Sequence, residues 1–361
     1  MKVGILTYHR SHNYGALLQA MALRKSLEKL GHEVKYVDYW PEYHKDMYRI
    51  LSKKALSSTP LSRKIKNVIS VGLRLVPIMK RRRKFQSFIS KHVDPYCAPV
   101  TESFDCIVCG SDQIWRKQDG LLGQFNPVYF GAGETKAAQY VSYAASMGII
   151  NLDETDKNNL KKWLSKFTQL SVRETDLKNE LDAIGLRNVR EVIDPTLLMD
   201  KEEWLRAIPI PKLSSKPYLV LYELLEGSFN MDAVERFAKD NNLEIKKLRG
   251  GAMNYFPKRG DYHTAGPEEM LSLIANASYV FTSSFHGLVF SIIHNKPFYA
   301  SFVKNSGRAE SLLSMINQSE RLLPPNISNI PDIKAIDYKM VNRILSEKRK
   351  ESIDFLAAIH K

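Results

Sequence analysis

Apolar residues follow two alternating rhythms along the chain: short continuous runs, and longer stretches with an apolar position every three or four residues. Lys2–Thr7 is the first run and reads as a strand. Ala16–Leu30 then places Leu17, Leu18, Met21, Leu23, Leu27 and Leu30 at helical spacing, with Gly31 as its stop. Val34–Asp38 is the next strand, so the chain opens as β–loop–α–β, the first half of a Rossmann-like unit. Further strands are expected at Asp105–Cys109, Lys136–Ala144, Leu170–Val172 and Val189–Ile193, with helices at Leu160–Phe167 and Thr175–Ile184. Pro209, Pro211, Ser214, Ser215 and Pro217 punctuate the chain and mark a linker. A second alternation follows, with strands Tyr218–Leu224, Glu244–Leu248 and Tyr279–Thr282 and helices Asp232–Lys239, Pro267–Ala275 and Gly287–His294. Arg308–Ile316 and Asp337–His360 are the last expected helices. The expected fold class is α/β: two Rossmann-like domains facing a cleft. The domains are 1–208 with a helical insertion at 45–92, 209–335, and a C-terminal helix 336–361 placed against the first.

With 361 residues, 44% of them hydrophobic, the chain can bury two cores of ordinary size. It has no apolar run of 18 residues, and MKVGILTYHR does not read as a signal peptide. A soluble, cytoplasmic protein is expected. Cys97, Cys106 and Cys109 are too few for a disulfide framework. Cys106 and Cys109 sit three apart in a strand and so point to opposite faces, which argues against a zinc or redox pair. The first turn lacks G-x-G-x-x-G, so no dinucleotide is indicated. His9 and His12 in a loop are a weak metal signal, and no metal is expected.

The formal charge of +14 is concentrated. Lys45–Lys91 holds fourteen Lys/Arg and one acid, a net +13, with Ile65, Val68, Ile69, Leu73, Val76 and Ile78 interleaved. The segment reads as basic amphipathic helices broken at Pro60 and Pro77. Such a pattern suits an anionic membrane surface more than nucleic acid, so peripheral attachment through 45–92 is the expectation. Neutralising Arg81, Arg82 and Arg83 together is expected to weaken it.

Candidate chemistry gathers around Tyr279–Ala300. A buried strand leads through a small-residue turn into a helix. Ser283 or Ser284 can cap that helix, Gly287 would let a ligand approach the backbone, and the first-turn amides favour an anion. His286 stands at the mouth, a residue type suited to proton transfer. Arg173 is delivered at a strand end, where its guanidinium can grip a carboxylate or phosphate, or pair with Glu174 or Asp194. Gly110–Trp115, GSDQIW, follows a strand at the end where α/β ligands bind, with Asp112 on its lip.

Taken in order, several motifs resemble those of the polysaccharide pyruvyltransferases. They are N-Y-G-A-L-L-Q (Asn13–Gln19), V-C-G-S-D-Q-I-W (Val108–Trp115), Y-A-A-S-M-G (Tyr143–Gly148) and S-V-R-E (Ser171–Glu174). I-D-P-T-L-L (Ile193–Leu198), G-P-E-E (Gly266–Glu269), S-S-F-H-G (Ser283–Gly287) and R-A-E-S-L-L (Arg308–Leu313) complete the set. The resemblance implies a glycosyltransferase-B-like pair of domains. It also implies transfer of a pyruvyl group from phosphoenolpyruvate to a sugar diol, closing a cyclic ketal, with no further cofactor. The acceptor would be a surface glycan or its lipid-diphosphate-linked precursor. His286 and Asp112 are then the candidate catalytic residues. Arg173, Ser283, Ser284, Gly287 and Arg308 are candidates for the donor, and Asn13, Gly15, Ser111 and Gln113 for the acceptor. Some members carry Arg two residues before the histidine, where this chain has Ser284. A sugar-nucleotide-dependent glycosyltransferase of the same fold is the alternative.

Overall fold

The structure, a computed structural model, describes residues 1–49, 61–118, 121–211, 216–225, 227–250 and 261–360. Strands β1 (Lys2–Leu6), β2 (Glu33–Val37), β3 (Cys97–Ala98), β4 (Ser103–Cys109), β5 (Lys136–Ser142) and β6 (Phe167–Gln169) form one sheet. Their order is β3-β2-β1-β4-β5-β6, and every neighbouring pair is parallel. That is the Rossmann strand order. β7 (Ser171–Val172) and β8 (Arg190–Glu191) make a short parallel pair. A second parallel sheet runs β10-β9-β11-β12, from β9 (Tyr218–Glu223), β10 (Glu244–Arg249), β11 (Tyr279–Thr282) and β12 (Phe298–Ala300). The fold is therefore α/β, with two Rossmann-like sheets.

Parallel strands need crossovers, and helices supply them. They are α1 (Tyr14–Lys29), α2 (Glu42–Met47), α3 (Leu61–His92), α4 (Glu154–Leu164), α5 (Thr175–Ala183) and α6 (Lys201–Ala207), then α7 (Met231–Asp240), α8 (Pro267–Asn276), α9 (Phe285–Ile293), α10 (Gly307–Met315) and α11 (Tyr338–Ala357). The largest apolar cluster is shared by both halves: Tyr14, Leu18 and Phe85 pack in it with Tyr222, Phe285 and Leu288. Each fully buried side chain of this size contributes about 1.5–3 kcal/mol, so the two sheets are joined by core and not by linker alone. The outer face of each sheet has its own cluster. The C-terminal helix returns to the first sheet: Gln139 donates to the Ile359 carbonyl, and Gln169 to that of Ala358, both at 2.9 Å.

Several boundaries differ from those the pattern suggests. α3 runs straight through Pro77 instead of breaking there. Interior proline costs about 3 kcal/mol, but Ile78, Arg81, Phe85, Phe88 and Ile89 downstream are all buried and hold the helix in register. The break expected at Pro60 lies outside the described residues. α4 begins at Glu154, six residues before the first apolar position, because Asp153 and Asp156 form a reciprocal capping box. Phe167 leaves that helix for β6, where it pairs with Tyr140 and packs edge-on to Trp115.

The basic segment is less free than its sequence suggests. Arg81 is 4% exposed and donates to the Tyr14 hydroxyl (2.7 Å) and to the carbonyls of Gly250 (2.8 Å), His263 (3.0 Å) and Arg249 (3.2 Å). Lys84 pairs with Glu269, and Lys91 with Glu268. Arg81 is thus a brace between the halves, and a variant lacking it tests folding before it tests membrane binding. Cys106 and Cys109 pack on opposite sides of the first sheet, and burial pushes the Cys106 thiol up to about 12. His9 and His12 also part: His9 is buried beside Asp38, and His12 stacks on Phe85.

Burial lowers His44 and His294 to about 4 each. A histidine held neutral in the fold is protonated first in the unfolded chain. Stability present above pH 6.5 should therefore fall as pH drops toward 4, by about 1.4 kcal/mol per pH unit for each such histidine. Urea titrations at pH 7 and pH 5 check this, and His294→Gln should flatten the decline.

Candidate functional site

Asp194 lies at the centre of the polar network between the sheets. It follows the strand region ending at Ile193 and caps the short turn Pro195–Leu198. Its Oδ1 accepts the Thr196 amide (3.0 Å) and hydroxyl (2.6 Å). Its Oδ2 takes a 2.5 Å bond from Arg173 Nη1 and faces His286 Nε2 at 3.7 Å. Burial alone would raise this carboxyl. His286, Arg173 and Thr196 outweigh it and hold the group well below the usual range.

His286 reaches this carboxylate from the other half of the molecule. Ser284 Oγ caps α9 by accepting the Gly287 amide, so the helix begins at Phe285 and His286 lies in its first turn. The imidazole is 9% exposed and rests on Gly15, near the start of α1. A Cβ at Gly15 would overlap the ring. His286 therefore has a backbone floor from the first half and a carboxylate beside it, and its Nε2 is buried without a hydrogen bond.

Arg173 makes both ion pairs its position allowed, with Asp194 and with Glu174 Oε1 at 3.5 Å. Its Nη2 is nonetheless buried and unbonded. Ser146 fixes Glu174 through a 2.5 Å bond. Arg308 approaches from α10. The two guanidinium carbons stand 5.2 and 5.1 Å from the Phe285 ring, and among the described residues Arg308 has no hydrogen bond or ion pair. Burial and the like charge of Arg173 push Arg308 down to about 10. Two cations meet at one ring, one unpaired and one with a spare donor, an arrangement whose charge an anion would offset. A cavity of about 270 Å³ opens beside them, lined by Arg173, Asp194, Phe285 and Arg308.

Gly287 has a different role from the one its sequence suggests. A Cβ there would meet Tyr222 at 2.6 Å and also Thr282, so the missing side chain admits Tyr222 and not a ligand. Ser283 Oγ accepts the Leu224 amide at 2.9 Å, which ties β9 to β11. On the first half, Asn13 caps α1 by accepting the Gly15 and Ala16 amides. Asp112 has a left-handed backbone (φ 72°), which Asp tolerates better than most residues. Asn13, Asp112 and Gln113 line one cavity, whereas Ser111 is fully buried beneath it. Asp194 was legible only as an ion-pair partner. The signal that singled out Arg173, a charged residue at a strand's carboxyl end, applies to it equally.

The profile of the family described as polysaccharide pyruvyl transferase matches residues 13–301. The chain belongs to that family. No curated protein matches it. Among solved structures it is similar to the UDP-N-acetylglucosamine 2-epimerase of Rickettsia bellii, with 10% identity, a TM-score of 0.47, and 99% of this chain and 94% of that one covered. It is also similar to the E. coli heptosyltransferase with ADP, with 9% identity, a TM-score of 0.41, and 96% and 100% covered. As a member of the polysaccharide pyruvyl transferase family, the chain is a transferase-type protein. Among the described residues, His9, Asp38 and Cys97 could reach a common metal ion. Arg10 fills that space, bonding Asp38 at 2.5 and 2.9 Å and Asp94 at 2.8 Å, so the cluster already has its cation.

The Gly15–His286 contact can be tested by a double-mutant cycle. Gly→Ala inside a helix ordinarily stabilises by about 1 kcal/mol. Here Gly15→Ala should destabilise, because it displaces the imidazole. In a His286→Ala background it should become neutral or stabilising. Thermal unfolding of the four proteins gives the coupling, and additive effects would show that the ring does not rest there.

Proposed function

We propose that this chain transfers a pyruvyl group from phosphoenolpyruvate to two hydroxyls of a sugar, forming a cyclic ketal and releasing phosphate. The observation that carries this reading is the pair of guanidiniums at Phe285, one of them unpaired, beside a histidine backed by Asp194. Phosphoenolpyruvate carries a carboxylate and a phosphate, and Arg173 Nη2 and Arg308 offer a donor to each. The diol loses two protons. One goes to C3 of the donor, which makes C2 electrophilic and becomes part of a methyl group. The other leaves with phosphate. His286 is the group placed to carry a proton between these atoms, and Asp194 steadies its charged form.

Incubation with phosphoenolpyruvate and glycan acceptors, followed by mass spectrometry, should show the pyruvate-ketal increment with stoichiometric phosphate. Release of nucleoside diphosphate from a sugar nucleotide, with phosphoenolpyruvate inert, would reject the reading. His286→Ala should lower turnover by about 10²–10⁴-fold. Arg308→Ala should act on donor KM, and equal activity in both variants would remove these residues from the site.

In this reading the acceptor is a glycan or its lipid-diphosphate-linked precursor, met at an anionic membrane face. No helix among the described residues is long and apolar enough to cross a membrane. Attachment is proposed through α3, where Lys80, Arg82 and Arg83 are exposed near exposed Leu75 and Val76. Basic residues at such a surface contribute about 1 kcal/mol each and lose it to salt. Arg82→Gln with Arg83→Gln, leaving Arg81 intact, should weaken binding to anionic vesicles and spare the fold. Equal binding to neutral vesicles, or binding to nucleic acid alone, would count against it.

A further inference from the structure

A cavity of about 140 Å³ opens on the first half, and it differs in chemistry from the arginine site. Tyr8, His44 and Tyr48 supply its aromatic lining, and Asn13, Asp112, Gln113 and the exposed Arg116 its polar lining. The cavity is tied to His286 through α1. Asn13 lines the cavity and caps the helix whose Gly15 supports His286. The charge of Asp112 is felt by Arg173 and Arg308 on one side, and by Tyr8, His44 and Tyr48 on the other.

The aromatic side is uncharged and held in place. His44 tilts against Tyr8 with ring centres 4.5 Å apart and meets Tyr48 edge-on at 5.5 Å. Burial keeps its imidazole neutral, and burial likewise keeps Tyr48 protonated, pushed up to about 12. The Tyr8 hydroxyl donates to the Gln113 carbonyl at 3.3 Å and accepts from Gln118 at 2.9 Å. The polar side is equally fixed. Asp112 Oδ1 accepts the Gln113 amide (2.8 Å), and the Asp112 amide donates to Ser111 Oγ (2.6 Å). Oδ2 is left without a hydrogen bond among the described residues.

We propose that this cavity is the acceptor subsite: it takes the pyranose ring that carries the diol, stacked on the Tyr8–His44–Tyr48 side, with a hydroxyl donating to Asp112 Oδ2. The proposal rests on the pyruvyl-transfer reading. A pyranose has apolar C–H faces and a rim of hydroxyls, which calls for flat neutral rings on one side and a carboxylate with amides on the other. Gly15 and Ser111 do not line it.

Saturation-transfer NMR with methyl galactoside, glucoside and mannoside tests this without turnover. The wild type should bind at least one of them. Asp112→Asn and Tyr48→Leu should each weaken that binding by about tenfold, the scale of one charge-assisted hydrogen bond, while Tyr48→Phe retains it. The KM for phosphoenolpyruvate should stay within about twofold in both Tyr48 variants, since neither touches a guanidinium or the Asp112 charge. Failure of the wild type to bind any methyl pyranoside, undiminished binding in Asp112→Asn and Tyr48→Leu, or an equal loss of donor affinity overturns the assignment. If sugar binding is lost in the variants as expected but the wild type releases no phosphate from phosphoenolpyruvate, the subsite stands and pyruvyl transfer falls.

Discussion

The imidazole of His286 lies on the backbone of Gly15, and the rest of the site depends on that contact. It joins residues 271 positions apart, from opposite sheets. No side chain fits at Gly15 while the ring is there. The ring in turn reaches Asp194, which anchors Arg173. A displacement of one sheet against the other would part the histidine from its carboxylate. The shared apolar core beneath, from Tyr14 and Phe85 to Tyr222 and Phe285, opposes such a displacement.

Electrostatics then gives the cleft a direction. A buried carboxylate between a histidine and an arginine is fully compensated, so Asp194 contributes orientation and little net field. Arg308 is different. Its neighbour Arg173 is like-charged, burial costs it hydration, and no acid within the described residues is bonded to it. Such a group is expensive in the empty site and inexpensive once an anion arrives.

The two sheets and the histidine turn were legible because their signals are local. Short apolar runs, helical spacing and a serine before a helix declare themselves within a few residues. The distant consequences were not legible. Gly287 looked like a ligand approach and is a packing notch for Tyr222. Arg173 looked like a choice between binding and pairing; it pairs, and its Nη2 stays unbonded. The aromatic side of the 140 Å³ cavity draws on Tyr8, His44 and Tyr48, from a loop and a short helix with no shared motif. Only the fold brings those rings together. The capping box at Asp153 was in plain view and was outweighed by the apolar spacing further along.

Net charge over Lys45–Lys91 suggested a surface segment, yet α3 lies against the second half. The reason is visible at Arg81. A guanidinium offers five donors in a plane, and here four carbonyls and a tyrosine hydroxyl converge on it. The carbonyls belong to the loop regions around β10 and before α8, and the hydroxyl to Tyr14, next to Gly15. A lysine could not satisfy that set, because its three donors point in tetrahedral and not planar directions. Exposed Arg82 and Arg83 sit on the same turn, so the helix face that meets solvent is tied to the face that meets the second half. The same short basic run therefore holds the two halves in register and presents charge outward, and each residue's share follows from its burial and not from its type.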